Sequence, residues 1–208
     1  MKPSVSSRIL LGLVLFTALA ASVHAQKFSS AHWKFKTLVE GSGSGQDVGA
    51  EGEMWLKNGT TRMKSEIHGM KSNMIVAEGA IYQWIDGHPT GMKMPRGPKT
   101  AASSPDYVNM DIRAKGKKIG TETIDGSVCD VYLLEVTEHG QKAKHTGWLR
   151  RDKSGFPAKW VVEAGNAKTT TTNRDIEIPA TVPESMMTLP TDVRFQDMAE
   201  MMKTMPRQ

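Results

Sequence analysis

The stretch EMWLKNGTTRMKSEIH, residues 53–68, decides the fold class of this chain. Two segments of alternating apolar and polar residues flank Asn58-Gly59, and both residues of that pair accept the positive φ that a tight hairpin turn requires. In the second segment, one set of side chains is mainly apolar and the other is polar. The first set is Met63, Ser65 and Ile67, and the second is Arg62, Lys64, Glu66 and His68. The sequence therefore predicts two paired strands with one dry face and one wet face.

The same pattern of short strands and turns continues along the chain. A further hairpin is predicted around Glu78-Gly79, and from Lys117 onward short strands recur between Gly and Pro residues. The predicted strands outside the hairpins are 28–39, 118–124, 127–137, 143–151, 156–164 and 168–178. Regular short strands with almost no helical period indicate an antiparallel meander. We predict a mainly β (α+β) fold with a single antiparallel sheet and few short helices.

The N-terminal residues predict export. Lys2 and Arg8 precede a short apolar run, and small residues follow it, which is the layout of a secretory signal peptide. The apolar run is shorter than the ~20 residues of a membrane-spanning helix. We therefore expect a signal peptide at 1–25, one domain at 26–208, and a periplasmic or secreted protein that is soluble after cleavage.

Charge and cysteine content exclude several classes of protein. The chain has 27 Lys and Arg against 22 Asp and Glu, a net charge of +5, and two of the cations belong to the predicted signal peptide. Because the remaining excess is spread along the chain, a nucleic acid is not an expected partner. A single cysteine cannot form an internal disulfide, so the core is expected to form without covalent cross-links.

The one cysteine lies in GTETIDGSVCDVYLLEV, residues 120–136. Alternation places Cys129, Val131 and Leu133 on one face of a strand. Val128, Tyr132, Leu134 and Val136 then lie on the other. Both faces are largely apolar, so we predict a strand covered on both sides and a buried, unreactive thiol.

The sequence contains no recognised catalytic or metal-binding motif. The histidines lack the HExxH or paired spacing of a zinc site, and no G-x-S-x-G nucleophile motif is present. We therefore predict a protein that is not an enzyme and has no cofactor.

Methionine is unusually frequent, with 14 residues. Near the C-terminus Met198, Met201, Met202 and Met205 follow helical spacing. With Phe195 one turn earlier and Asp192 as N-cap, they predict a short amphipathic helix. Three roles are open for these methionines. They are packing against the sheet, Cu(I) binding through thioethers, and an adaptable surface for apolar ligands.

Several segments together resemble the LolA-like superfamily of periplasmic lipoprotein and lipid carriers, and within it a branch of small exported proteins. One carries a Gly-x-Glu-x-Ile-x-Gly-x-x-Cys-x-x-Tyr pattern. Its residues are Gly120, Glu122, Ile124, Gly126, Cys129 and Tyr132. The Trp148 strand runs into Gly155-Phe156-Pro157, and a late Leu189-Pro190 follows. MWLKNGTTRMKSEIHG with IYQWIDG is similar to the N-terminal hairpins of the family.

The resemblance implies a strongly curved antiparallel sheet, a half-barrel, whose concave apolar face is partly closed by helices and holds acyl chains. From the sequence pattern we place only the C-terminal helix and a weak turn near Tyr107. Alternation gives the candidate ligand-binding residues of the concave face as Met54, Leu56, Met63, Ile67, Trp148 and Trp160.

The resemblance favours a binding or carrier protein for an apolar ligand, with a lipid or lipidated protein as partner and peripheral contact with a membrane. One alternative is a copper-binding protein in which Met198, Met201, Met202 and Met205 hold Cu(I). The other is an envelope protein whose sheet edges dock to a partner and which takes no small ligand.

Overall fold

A computed structural model of the chain describes residues 28–41, 48–67, 69–77, 79–95, 112–138 and 141–204. The predicted signal peptide, the weak turn expected near Tyr107 and Met205 lie outside these ranges.

Within the described residues the chain forms twelve strands and two short α-helices. The strands are β1 (Ser30–Glu40), β2 (Val48–Lys57), β3 (Thr60–Ile67), β4 (Met70–Ala77), β5 (Ala80–Ile85), β6 (Thr90–Pro95), β7 (Lys117–Ile124), β8 (Ser127–Glu138), β9 (Gln141–Arg150), β10 (Pro157–Ala164), β11 (Ala167–Glu177) and β12 (Arg194–Asp197). The helices are α1 (Ile112–Lys115) and α2 (Met198–Thr204), and a 3₁₀ turn covers Glu184–Met186. With four and seven residues, neither α-helix is long enough to cross a bilayer.

All twelve strands belong to one sheet in the order β12-β6-β5-β4-β3-β2-β1-β11-β10-β9-β8-β7. The sheet does not close into a barrel, which confirms the predicted half-barrel. Every neighbouring pair is antiparallel except β12, which runs parallel to β6, so the sheet is mixed rather than purely antiparallel. The exception arises because β12 reaches the far edge of the sheet through the long segment after β11, and only such a crossover can place a strand in parallel.

The predicted turns are confirmed. Asn58 and Gly59 have φ values of 48° and 82°, as a two-residue hairpin turn requires, and Gly79 has a φ of 77°. The five strands predicted from residue 118 to 178 agree with β7 to β11 within two residues at each end.

The inner face of the sheet holds the core, and its central feature is a line of side chains directly opposite one another on six adjacent strands. We call it the methionine row, and it consists of Trp33, Met54, Met63, Met74, Gln83 and Met92. Its first five members are buried. Met supplies flexible, polarisable packing where neighbouring strands curve, so the row fills the centre of the half-barrel.

One end of the half-barrel, the base, lies at the turns of Gly59, Gly79 and Gly126. There the Phe156 ring packs edge-on against Trp33, with centroids 5.0 Å apart. Buried apolar residues surround this pair and complete the core, namely Ala31, Phe35, Leu56, Val76 and Ile176. The opposite end, the rim, lies at the turns of Gly69, Gly87 and Gly165.

The prediction that Arg62 lies on a wet face is wrong. Arg62 is only 8% exposed, its Nη2 donates to Asn73 Oδ1 at 2.9 Å, and its guanidinium lies 4.6 Å from the centroid of the Trp84 ring. This burial lowers the pKa of Arg62. The cause is distant in sequence, because Phe195 of β12 packs edge-on against Trp84 on the same side of the sheet.

The C-terminal helix exists, but it begins later than the spacing of apolar residues predicts. Phe195 lies in β12 rather than one turn before the methionines, and the N-cap is Asp197, whose Oδ1 accepts from the amide of Ala199. Asp192 is therefore not the cap. The residues before Met198 are held as a strand because they pair with β6.

Cys129 is fully buried, as predicted, and burial raises the pKa of its thiol, which suppresses reactivity. The prediction that its strand is covered on both sides is wrong at Val128, which is exposed. The reason is position, since β8 is second from the edge of the sheet.

The burial of the methionine row predicts that shortening one of its side chains lowers the stability of the fold. Replacing Met63, which has no exposed surface, with alanine should lower the free energy of unfolding by about 2–5 kcal/mol through lost burial and a residual cavity. The matched control is Met70→Ala, on the same face but 42% exposed, which should change it by roughly 0.5 kcal/mol or less. Urea unfolding measures both. Equal losses in the two variants would contradict this description of the core.

Candidate functional site

The strand register separates charged from uncharged side chains in nine strands, β1 to β6 and β9 to β11. Their inner face consists of Ala31, Trp33, Phe35, Thr37, Val39, Val48, Ala50, Gly52, Met54, Leu56, Thr61, Met63, Ser65, Ile67, Met70, Ser72, Met74, Val76, Ile81, Gln83, Ile85, Met92, Met94, Ala143, His145, Gly147, Leu149, Trp160, Val162, Ala164, Thr169, Thr171 and Asn173. These described positions include no Lys, Arg, Asp or Glu. Adjacent residues such as Lys34, Glu53 and Lys64 point to the outer face.

Between the methionine row and the rim, the inner face carries short side chains. Gly52, Ser65 and Ser72 lie opposite one another on β2, β3 and β4, and Ala50 and Thr37 form the next pair toward the rim. We call these five residues the small-residue band. Their side chains are the shortest on this part of the sheet, although Thr37 and Ser65 are themselves buried and the buried Phe35 lies directly opposite Gly52.

Glycine is required at one position of the band. A Cβ added to Gly52 would lie 2.0 Å from the backbone oxygen of Lys64, so only glycine allows β2 and β3 to approach this closely. The hydroxyls of the band lie within hydrogen-bond distance of other hydroxyls of the inner face. Ser65 and Ser72 Oγ atoms are 3.4 Å apart, and Thr37 Oγ1 lies 3.0 Å from Thr171 Oγ1.

Trp160 of β10 lies in line with Thr37 and Ala50 of the band. It pairs with Gly147 and Thr171, and a Cβ added to Gly147 would lie 2.7 Å from Trp160 Cζ3 and 3.3 Å from Ile112 Cδ1. The indole and helix α1 therefore occupy the space that the glycine leaves. The Trp160 Nε1 atom is buried, and no hydrogen-bond partner exists for it among the residues that the structure describes.

His145 is the one titratable side chain of the inner face positions given above. It is fully buried, with its ring centroid 6.4 Å from that of Trp160, and burial lowers its pKa to about 4. The imidazole is therefore uncharged at neutral pH. The inner face of these nine strands is neutral as well as largely apolar.

Five of the six sequence-predicted ligand-binding residues lie on the inner face. Met54, Leu56 and Met63 are almost completely buried in the core, while Ile67 and Trp160 are half-buried at the level of the band. The structure thus separates three core residues from two that border the band.

The sixth residue, Trp148, lies on the outer face, so its placement on the concave wall is wrong. It pairs with Lys159, whose Nζ lies 4.5 Å from the ring centroid, and its Nε1 donates to Glu122 Oε2. The inward position next to Trp148 is Gly147. Because glycine has no side chain, the sequence pattern does not show which of these two neighbouring residues points inward.

Sequence reasoning missed the polar residues of the inner face, among them Thr37, Ser65 as a site residue, Ser72, Gln83 and His145. The available signal was the position of Ser65 between Met63 and Ile67. A search for apolar alternation does not detect polar residues that lie inside.

The proposed Cu(I) ligands are only partly described. Met198 is half-buried and Met201 is exposed in α2, and the backbone of Met202 continues that helix. Across the part of the chain that the structure covers, no group of three or more His, Cys, Asp or Glu side chains is arranged to hold a metal. Thioether binding of Cu(I) stays a prediction.

Comparison with known proteins identifies the fold. No family model matches the sequence, and no curated protein matches it. An uncharacterized conserved protein from Thermus thermophilus matches with a TM-score of 0.55 and 8% identity, over 92% of this chain and 99% of that one. The lipoprotein LppX of Mycobacterium tuberculosis matches with a TM-score of 0.51 and 12% identity, over 84% and 98%.

A LolA superfamily protein from Nitrosomonas europaea matches with a TM-score of 0.42 and 9% identity, over 86% of this chain and 97% of that one. At sequence identities this low, a match shows similarity of fold and nothing about function. The two matches with TM-scores above 0.5 show that this chain shares its fold with the Thermus thermophilus protein and with LppX.

The neutral state of His145 predicts a pH dependence of stability. Because the folded pKa is about 4 against an ordinary 6.5, the unfolded chain binds more protons between these values, and stability should rise as pH increases from 4 to 6.5. The full effect is at most about 3 kcal/mol. His145→Gln should flatten this part of a plot of urea-unfolding free energy against pH.

The acidic limb of the same plot is the control. Hydrogen bonds from Arg151 and Lys118 lower the pKa of Asp130 from 3.8 to about 2, so its contribution is lost only as pH falls through that lower range. His145→Gln should leave this limb unchanged. An unaltered slope between pH 4 and 6.5 in the variant would show that His145 is not the group responsible.

Proposed function

We propose that this chain is an exported protein that binds an apolar ligand, the acyl chain of a lipid or of a lipidated protein, against the inner face of its half-barrel. The observation that carries the proposal is the complete separation of charge across nine strands, combined with the small-residue band between the methionine row and the rim. A stable core requires apolar inner side chains, but it does not require them to become short on one side of the core.

The energetics suit such a ligand. Each methylene transferred from water contributes ~0.8 kcal/mol, so roughly ten methylenes contribute about 8 kcal/mol before the cost of ordering the chain. Ile67 and Trp160 border the band with half-buried apolar surface that a ligand would cover. The binding therefore needs no ion pair and no reaction chemistry, which fits a binding or carrier protein.

The location proposed is the periplasm or another space outside the cytoplasm. The segment 1–25 supports it, because its sequence has the layout of a signal peptide. The fold supports it as well, since the similar protein LppX is a lipoprotein. Residues 26–208 would then be the mature domain, and its ligand would come from a membrane that it contacts peripherally.

The test uses two neighbouring residues on opposite faces of β4. Ser72 lies in the small-residue band, and Lys71 is exposed on the outer face. Ser72→Phe fills the band and should weaken binding of 1-N-phenylnaphthylamine, an uncharged fluorescent probe, by at least tenfold. Lys71→Phe adds the same ring outside and should leave the affinity within twofold.

Thermal unfolding of both variants separates lost binding from lost folding. If the Ser72 variant folds and binds the probe as the wild type does, the ligand is not held at the band and the proposal is wrong. Mass spectrometry under native conditions, on protein purified from its own envelope, provides the independent readout. Co-purified lipid or acylated peptide is the expected result.

A further inference from the structure

The inner face carries buried polar atoms for which the described part of the chain supplies no partner. Trp160 Nε1 is a donor, and Gln83 Oε1, on a side chain only 4% exposed, is an acceptor. Neither has a hydrogen-bond partner among the residues that the structure describes. An unpaired buried polar group destabilises a protein, so such groups mark positions where another molecule supplies the bond.

Both atoms belong to uncharged side chains. The cations nearest in sequence to Trp160 and to the band, such as Lys159 and Lys64, lie on the outer face because the strands alternate. The register places Lys118 of β7 on the same face and at the same level as Trp160, but its Nζ already pairs with Asp130 at 2.8 Å. A carboxylate or phosphate brought onto the inner face beside Trp160 would therefore lose its hydration without gaining an unpaired counter-ion, which is strongly unfavourable. An ester or hydroxyl group has no such cost and can bond to a neutral donor.

We propose that the ligand is an uncharged amphiphile bearing ester or hydroxyl oxygens, and that the indole N–H of Trp160 donates a hydrogen bond to one of those oxygens. This inference rests on the proposed function and adds the chemical class of the ligand and the residue that forms a hydrogen bond to it.

The position of Trp160 makes the indole an internal donor. It lies in the middle of β10, opposite Gly147 and beside the buried Ile112 of α1. A ligand whose only polar group stayed at the rim in water would leave this N–H unpaired. The oxygen must therefore lie within the half-barrel, which excludes a head group that has to remain hydrated.

Gln83 provides a second neutral contact. It ends the buried part of the methionine row, directly opposite Met74 and Met92. Its Oε1 accepts from an O–H or N–H group of a ligand that reaches the base side of the band, so a free hydroxyl adds affinity there.

The experiment compares three pyrene-labelled probes of the same chain length, a hydrocarbon, a methyl ester and a permanently ionised sulfonate, by fluorescence titration of the full chain. The wild type should bind the ester about five to ten times more tightly than the hydrocarbon, and the sulfonate at least tenfold more weakly than the ester. Trp160→Phe should bring the ester to the level of the hydrocarbon and leave the hydrocarbon unchanged.

Trp148→Phe is the matched control, because that indole lies on the outer face and donates to Glu122. It should change none of the three affinities. Equal binding of ester and sulfonate would overturn the inference and leave the proposed function standing. Equal weakening of all three probes by Trp160→Phe would show that the ring only packs, which overturns the role of its N–H. Failure of every probe to bind, in protein that is folded, would refute the proposed function itself.

Discussion

The two-residue alternation of side chains along paired strands is the constraint on which the rest of this structure depends. Once the register is set, alternate residues of nine strands point inward, apart from bulges in the β1–β11 and β9–β10 pairs, and none of the inward positions described above carries a charge. A slip of one residue in β1 or β2 would turn Lys34 and Glu53 into the core and Trp33 and Met54 out of it. The register is therefore fixed by the large difference in free energy between these two arrangements.

Both faces of the sheet contribute to this arrangement, in different ways. At the base, Phe156 and Trp33 close the inner face around the methionine row. On the outer face, the segment after β11 returns across the first strands, where Lys57 Nζ donates to the carbonyl of Val182 at 3.0 Å. It ends with Phe195 against Trp84. The outer face is thus partly a second packed surface, and the level of the small-residue band is where the inner side chains become short.

Local signals in the sequence predicted most of the fold. The Asn58-Gly59 turn and the short strands after residue 117 depend on nearest neighbours, so the sequence pattern locates them closely. The parallel pairing of β12 with β6 and the burial of Arg62 depend on contacts between residues more than a hundred positions apart. Contacts this distant in sequence produce no periodic pattern of apolar residues. The β12–β6 pairing and the burial of Arg62 were therefore not predicted.

The candidate site was predictable only in part, for a similar physical reason. Apolar alternation identified Ile67 and Trp160, but it could not detect Ser72 or Gln83, because neutral polar residues also occur on solvated faces. Trp148 was assigned to the wrong face because its neighbour Gly147, which occupies the inward position, has no side chain to indicate it. Side-chain size and charge, compared across paired strands, carry the information that hydrophobicity along one strand lacks.

The most direct test of this account is an NMR measurement of methyl groups in protein labelled at methionine, with an unlabelled uncharged acyl ester added. We expect nuclear Overhauser contacts between the acyl chain and Met92 and Met70 of the inner face, with shifts along the methionine row and none at Met201 in the C-terminal helix. Contacts confined to Met198 and Met201, with the row unperturbed, would contradict the account.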